Sequence, residues 1–202
     1  MHNNKSNIAF SFIIIPAIVV IFLSLYKFYP ISSKQFNMTD YKQDGPDAQK
    51  IASVIPYYKF HGVDRFYDIS GILANPDIFQ LTIDIFAARY ASLDIDVIAG
   101  VDARGFILGP PIALALKKPF IMIRKKGKLP NAVSGSQYYK EYEGDGAHGG
   151  DELCIPRTSI SPGAKVMVID DLVATGGTLI AACDLLSSVG FNVRFTITLI
   201  YC

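Results

Sequence analysis

A chain of 202 residues, 50% hydrophobic and 18% charged, is long enough for one packed domain with an appendage and too apolar to be intrinsically disordered. Nineteen basic residues against 18 acidic ones leave a formal net charge of +1, which excludes the broad basic footprint of a nucleic-acid binder; any anion must be held locally. The three cysteines, Cys154, Cys183 and Cys202, are odd in number and widely spaced, so they suit neither a disulfide framework nor a metal cluster and fit a reducing, cytoplasmic compartment.

Residues 8–26 form an apolar run broken only by Ser11, Pro16 and Ser24 and flanked by Lys5 and Lys27. That is about the length needed to span a bilayer. The run leads into Tyr26-Lys27-Phe28-Tyr29-Pro30 without a small-residue cleavage site, which disfavours a cleaved secretory leader. Two readings of residues 1–38 stand. One is an uncleaved membrane anchor, with Lys27, Lys34 and Lys42 keeping the bulk of the chain cytosolic. The other is an upstream extension dispensable to a protein that begins at Met38. Residues 39–202 are the working domain in both.

From Asp47 onward helix-like and strand-like blocks alternate, which predicts an α/β fold. Asn75-Pro76-Asp77 caps a helix running to about Tyr90, with Ile78, Leu81, Ile85, Phe86 and Arg89 at helical spacing. Asp96 to Val101 is a short buried strand. A second helix is expected from Pro110-Pro111 to just before Lys117, followed by a strand from Phe120 to Ile123. Lys165 to Ile169 forms a third strand, and Thr178 to Val189 a helix closed by Gly190. A strand from Asn192 to Ile200 comes last. Strands joined by helical crossovers imply a parallel sheet, whose ligands sit beyond the carboxyl ends of the strands.

The strongest chemical signal is the run from Val166 to Thr178, an apolar strand ending in Asp170-Asp171 and then Leu172-Val173-Ala174-Thr175-Gly176-Gly177-Thr178. Gly176 and Gly177 let the backbone approach an anion at the positive end of a helix dipole, and Thr175 and Thr178 add hydroxyl donors. Asp170 and Asp171 can accept hydrogen bonds from vicinal hydroxyls or hold a magnesium hydration shell. Phosphate plus diol means a phosphorylated ribose. An ordinary glycine turn with a threonine cap would explain a bare Thr-Gly-Gly-Thr but not the paired acids before it. No Gly-Lys-Ser/Thr follows, and no Gly-x-Gly-x-x-Gly follows the first strand, which excludes the common nucleotide-binding loops.

This segment resembles the ribose-phosphate signature of type I phosphoribosyltransferases, and within them the adenine-using branch. Gly100-Val101-Asp102-Ala103-Arg104-Gly105 resembles that family's pyrophosphate loop, and Ile123-Arg124-Lys125-Lys126-Gly127-Lys128 its basic approach to a flexible loop. The likeness covers roughly residues 50–200. It implies a parallel sheet flanked by helices under a small N-terminal hood, a homodimer, Mg2+ bound through the substrate diphosphate, and a cis peptide between Asp102 and Ala103. It assigns pyrophosphate to Asp102, Ala103, Arg104, Arg124, Lys125 and Lys128, and ribose 5-phosphate to Asp170, Asp171 and the loop Ala174 to Thr178. The implied reaction joins adenine to 5-phosphoribosyl 1-diphosphate, giving AMP and pyrophosphate. Arg104's planar fork suits a diphosphate leaving group, whereas its plainer reading is a surface ion pair with Asp102.

The stretch Asn131 to Gly150 carries five glycines among Ser, Tyr and Glu, a composition suited to a closing flap within a flexible loop spanning about residues 125–155. Its Tyr138-Tyr139-Lys140-Glu141-Tyr142 matches the family's Tyr-x-x-Glu-Tyr, which makes Glu141 the candidate acid/base toward the purine. His61-Gly62-Val63-Asp64-Arg65-Phe66-Tyr67-Asp68 resembles the family's base-binding hood, with Tyr67 where arginine is usual. Phe66 is the candidate stacking ring and Arg65 the candidate backbone reader of the amino edge. The chain stops at Thr198-Leu199-Ile200-Tyr201-Cys202, where relatives usually continue with a helix and a strand, so a thinner base-side wall and weaker activity or stability are expected. Two rival functions fit the same sugar site: transfer to a 6-oxopurine, and a non-catalytic sensor of the ribose diphosphate. Leu172-Val173-Ala174-Thr175-Gly176 favours adenine over the first, and the absence of a helix-turn-helix signal or basic face counts against the second.

Overall fold

Strands β3 (Val97–Val101) and β7 (Lys165–Val173) lie side by side at the centre of a six-stranded sheet, and their side chains alternate between two apolar layers. Val97, Ala99, Val166 and Val168 face one layer with Leu179, Leu185 and Leu186; Ile98, Met167 and Ile169 face the other with Leu108 and Ile112. Both faces are covered, so the strands read as continuous apolar runs. The computed structural model describes residues 42, 44–60, 63–138, 151–157 and 161–201.

In chain order the remaining elements are α1 (Pro46–Ala52), β1 (Tyr57–Phe60), β2 (Val63–Tyr67), α2 (Ser70–Leu73), α3 (Pro76–Tyr90), α4 (Gly105–Leu116), β4 (Phe120–Lys125), β5 (Ala132–Tyr138), β6 (Asp151–Pro156), α5 (Gly177–Ser188) and β8 (Asn192–Tyr201). The large sheet runs β5-β6-β4-β3-β7-β8. β4, β3, β7 and β8 are mutually parallel, while β6 joins β4, and β5 joins β6, in antiparallel fashion. The sheet is therefore mixed rather than wholly parallel. Of the antiparallel pair, β5 falls inside the glycine-rich segment read as a flap and β6 just after it; Val133 of β5 packs on the α5 layer. β1 and β2 pair only with each other, as a separate hairpin.

Helix α3 begins where Asn75-Pro76-Asp77 places it: the Asn75 side chain accepts from the Ile78 amide at 3.2 Å. Its buried face differs in part from the expected stripe. Thr82 and Ile83 are buried and Arg89 is exposed; the Thr82 hydroxyl is satisfied by donating to the Ile78 carbonyl at 2.8 Å. α4 starts at Gly105, five residues before the expected Pro110-Pro111. Both prolines are tolerated within it because tertiary packing outweighs the lost amide donors: Leu108, Ile112 and Ala113 are each at most 2% exposed. Its N-terminal turn is held close to the sheet, since a Cβ on Gly105 would lie 2.6 Å from the Ile169 carbonyl oxygen. β7 also runs further than expected, to Val173, because β8 pairs with it as far as Val173 and Tyr201. No helix among the described residues is long and apolar enough to cross a membrane. Residues 1–38, and both readings of them, lie outside the described residues.

Candidate active site

The register between β3 and β7 builds the site. Gly100 pairs with Ile169, so the chain leaves β3 beside the point where β7 reaches Asp170 and Asp171. The turn Asp102-Ala103-Arg104 then bends into α4, and the peptide between Asp102 and Ala103 is cis, as the resemblance implies. Beyond β7 the chain passes Ala174 and Thr175 to Gly176, which serves as N-cap of α5 with φ 87° and ψ −3° and no side-chain cap. Only glycine takes that left-handed conformation without strain, and a Cβ there would meet nothing within 4 Å, so backbone geometry rather than crowding calls for glycine. The first-turn amides of α5 have no acceptor within the helix and add to its positive end.

These loops and the hairpin enclose one cavity of about 360 Å³. Phe60, Arg65 and Phe66 line its hairpin end, Asp102, Ala103 and Arg104 its floor, and the run from Asp170 to Leu179 its far wall. The hairpin, the 102–104 loop and the 174–178 loop, which range from Phe60 to Leu179 along the chain, thus open onto a common space. Phe60, Leu172, Val173 and Leu179 were not among the expected site residues. The alternation of Tyr58 and Phe60 on one face of β1 was the available signal for Phe60.

Arg104 carries the principal interactions across this cavity. Its Nη1 donates to Asp171 Oδ2 at 2.9 Å, and its guanidinium carbon lies 4.6 Å from the centroid of the Phe66 ring. The plainer alternative for Arg104, a surface ion pair with Asp102, is not what forms: Asp102 is taken by Arg124, whose Nε donates to its Oδ2 at 2.9 Å. Asp171 is 5% exposed, so the Arg104 contact also satisfies a buried carboxylate. Arg124, Lys125 and Lys128 do not line the cavity. Lys125 lies 2.8 Å from Asp151 Oδ2, and Arg124 also donates to the Lys128 carbonyl at 3.2 Å.

Asp170 is the electrostatic anomaly. Burial first and the charge of Asp171 second raise its pKa from 3.8 to about 7, while the Asp171 amide, donating to Asp170 Oδ1 at 2.9 Å, works in the opposite direction. Two adjoining carboxylates that resist joint ionisation are suited to a cation. Among the described residues no cluster of three or more His, Cys, Asp or Glu could hold a metal unaided. A pair of acids facing a cavity fits Mg2+, which keeps most of its waters and takes further oxygens from substrate phosphates. At the hairpin end, Arg65 and Phe66 alternate along β2, so the Arg65 side chain leaves the Phe66 face and lies 5.5 Å from the Tyr57 ring centroid. Only the backbone of Arg65 remains for the role expected of it. Asp68 ends the hairpin; its carboxylate accepts from the Ser70 hydroxyl at 2.6 Å and the Ser70 amide at 2.9 Å, which holds its pKa below the ordinary value. Glu141 and Tyr142 lie outside the described residues. Tyr138 closes β5, its backbone paired with Asp151.

Residues 68–201 match the family model of the phosphoribosyl transferase domain. The chain belongs to the phosphoribosyltransferase family. Among curated relatives, adenine phosphoribosyltransferase 1 of Triticum aestivum is 44% identical over 148 residues, covering 72% of this chain and 78% of the wheat protein. Among solved structures, adenine phosphoribosyl transferase from Trypanosoma brucei in complex with AMP, pyrophosphate and ribose 5-phosphate superposes with a TM-score of 0.71 at 33% identity, over 78% of this chain and 68% of that one. The Saccharomyces cerevisiae enzyme complexed with an imino-altritol bisphosphate and adenine gives 0.67 at 33% identity, over 77% and 89%. The resemblance noted from the sequence thus stands, as do the α/β architecture and the enzymatic character of this phosphoribosyltransferase.

Proposed function

We propose that this protein is a purine-salvage enzyme that converts adenine and 5-phosphoribosyl 1-diphosphate to AMP and pyrophosphate. The observation that carries the reading is the shared cavity: an aromatic hairpin end, an arginine-bearing turn and an acid pair leading into a helix N-terminus match base, diphosphate and ribose 5-phosphate in that arrangement. The adenine-specific names of the curated and structural relatives support the choice of base.

In this reading the bond from C1′ to the diphosphate oxygen breaks as N9 of adenine bonds to C1′, the electron pair leaves with pyrophosphate, and the N9 proton passes to Glu141. The loop from Ala174 to Thr178 and the start of α5 hold the 5-phosphate, while Asp170 and Asp171 take the ribose hydroxyls. Arg104 exchanges Asp171 for the departing pyrophosphate, aided by Arg124, Lys125 and Lys128. Asp170 and Asp171 would help hold a magnesium ion brought with the substrate diphosphate, which would supply charge neutralisation to the leaving group. Phe66 stacks on the adenine, the Arg65 backbone reads its amino edge, and Glu141 serves its ring nitrogens as acid/base. A homodimer, a cytoplasmic working domain and a loop closing over the activated sugar complete the proposal. The test is pyrophosphate release by the purified full chain with magnesium, the ribosyl diphosphate, and adenine, hypoxanthine, guanine or no base. Release with adenine alone is expected. Release with a 6-oxopurine in its place, or none with any base from folded protein, overturns it.

A further inference from the structure

Phe60 has no task in the reading above, and its position asks for one. It ends β1 on the face that also carries Phe66, lines the cavity, is 50% exposed and, among the described residues, belongs to none of the three apolar core clusters. A phenylalanine half in water adds little to folding, so this exposure is not explained by the core. Its ring centroid lies 5.1 Å from that of Phe66, with the planes tilted by 49°. Phe66 in turn has the Arg104 guanidinium 4.6 Å from its centroid, and Arg104 reaches Asp171 at 2.9 Å. A continuous line of contacts thus runs from the hairpin to the acid pair.

The Arg104 guanidinium lies over the face of Phe66 that a flat aromatic base would occupy. Among the described residues, Phe60 thus supports the Phe66 ring at its flank and Arg104 over its face. A diphosphate that draws Arg104 toward itself removes the second support and exposes the face. The ring is then oriented by Phe60. We infer that Phe60 is a positioning residue for the base: it fixes the plane of Phe66 and completes the apolar wall against which the purine rests. The inference rests on the proposed function for the identity of the base, while the contact geometry belongs to this chain alone.

Equilibrium binding of AMP and of ribose 5-phosphate to the full chain separates the base from the sugar without requiring turnover. Phe60→Ala is expected to weaken AMP binding by about fivefold, the scale of an aromatic pair, and to leave ribose 5-phosphate affinity unchanged within about twofold. In steady-state assays the KM for adenine rises by a similar factor while kcat and the KM for the ribosyl diphosphate hold. Phe60→Tyr, which keeps the ring, restores AMP affinity; Phe60→Leu carries the test if the alanine variant does not fold. Unchanged AMP affinity in the ringless variants overturns the inference, and so does an equal loss for ribose 5-phosphate, which would make Phe60 a general support of the loops. A wild-type chain that binds AMP but turns over no adenine counts against the proposed function and not against Phe60.

Discussion

Replacing Asp170 by Asn removes a charge from a place where the fold resists one. Its native pKa is about 7, raised by burial and then by Asp171, whereas in the unfolded chain it returns to about 3.8. Between those values the native state binds a proton that the unfolded state has lost, so this group's contribution to stability falls as pH rises through the window. Below it, both states are protonated and the group is neutral in effect; above it, the full cost is present. At about 1.4 kcal/mol for each tenfold in proton affinity, the gap corresponds to about 4 kcal/mol as an upper figure. An Asn amide oxygen can still accept the Asp171 amide, which donates to Oδ1 at 2.9 Å, so the substitution removes the charge and keeps that hydrogen bond. Asp170→Asn is therefore expected to match the wild-type Tm at pH 4 and exceed it at pH 8, by up to about 10 °C for a chain of this size. Melts followed by circular dichroism at one-unit pH steps measure the difference. Parallel wild-type and variant curves across the range, or a less stable variant at pH 8, would refute the electrostatic argument. Turnover should move the opposite way, because the more stable variant lacks a carboxylate for the ribose hydroxyls.

Arg104→Lys keeps the charge but loses the planar fork that meets Asp171 and lies over Phe66. A fall of about 10- to 100-fold in kcat/KM for the ribosyl diphosphate is expected, from charge-assisted hydrogen bonds worth about 1.5–3 kcal/mol. Steady-state rates with that substrate varied check it. Gly176→Ala forces a Cβ into a φ of 87°, at about 1–2 kcal/mol, and should lower Tm by a few degrees. Because that Cβ meets nothing within 4 Å in the free protein, a loss of ribose 5-phosphate affinity beyond the strain, measured by calorimetry, would report the phosphate's own approach to the loop.

The parts of the site that were legible from the sequence are those specified locally. The Asn75-Pro76-Asp77 start of α3 and the glycines at the head of α5 depend on neighbours within a turn, and the strand before Asp170 announces itself by its apolar run. What escaped depends on partners far away in the chain. Arg104 and Asp171 are 67 residues apart, and nothing local says that this arginine prefers the second acid of β7 to Asp102 two residues before it. The early start of α4 escaped for the same reason, since it is set by the close approach of Gly105 to Ile169 in β7 and not by Pro110. β5 was hidden by its composition: Gly135 and its serines read as loop, while the strand is held by pairing with β6 and by packing against α5. Phe60 was visible as an aromatic but not as part of the cavity, because a two-stranded ribbon with aromatics on both faces gives no sign of which face looks inward.

The small hairpin hydrogen-bonds to no strand of the large sheet. In the proposed function this separates a sugar-holding sheet from a base-reading ribbon. On that proposal the sheet sets where the sugar's two anionic ends rest, through the spacing of neighbouring strands, and mutation there is expected to disturb chemistry shared by any acceptor. The ribbon can be retuned residue by residue at its exposed rings without repacking a core. New acceptor rings are therefore to be sought by diversifying Tyr57 to Tyr67, with the strands beneath left untouched.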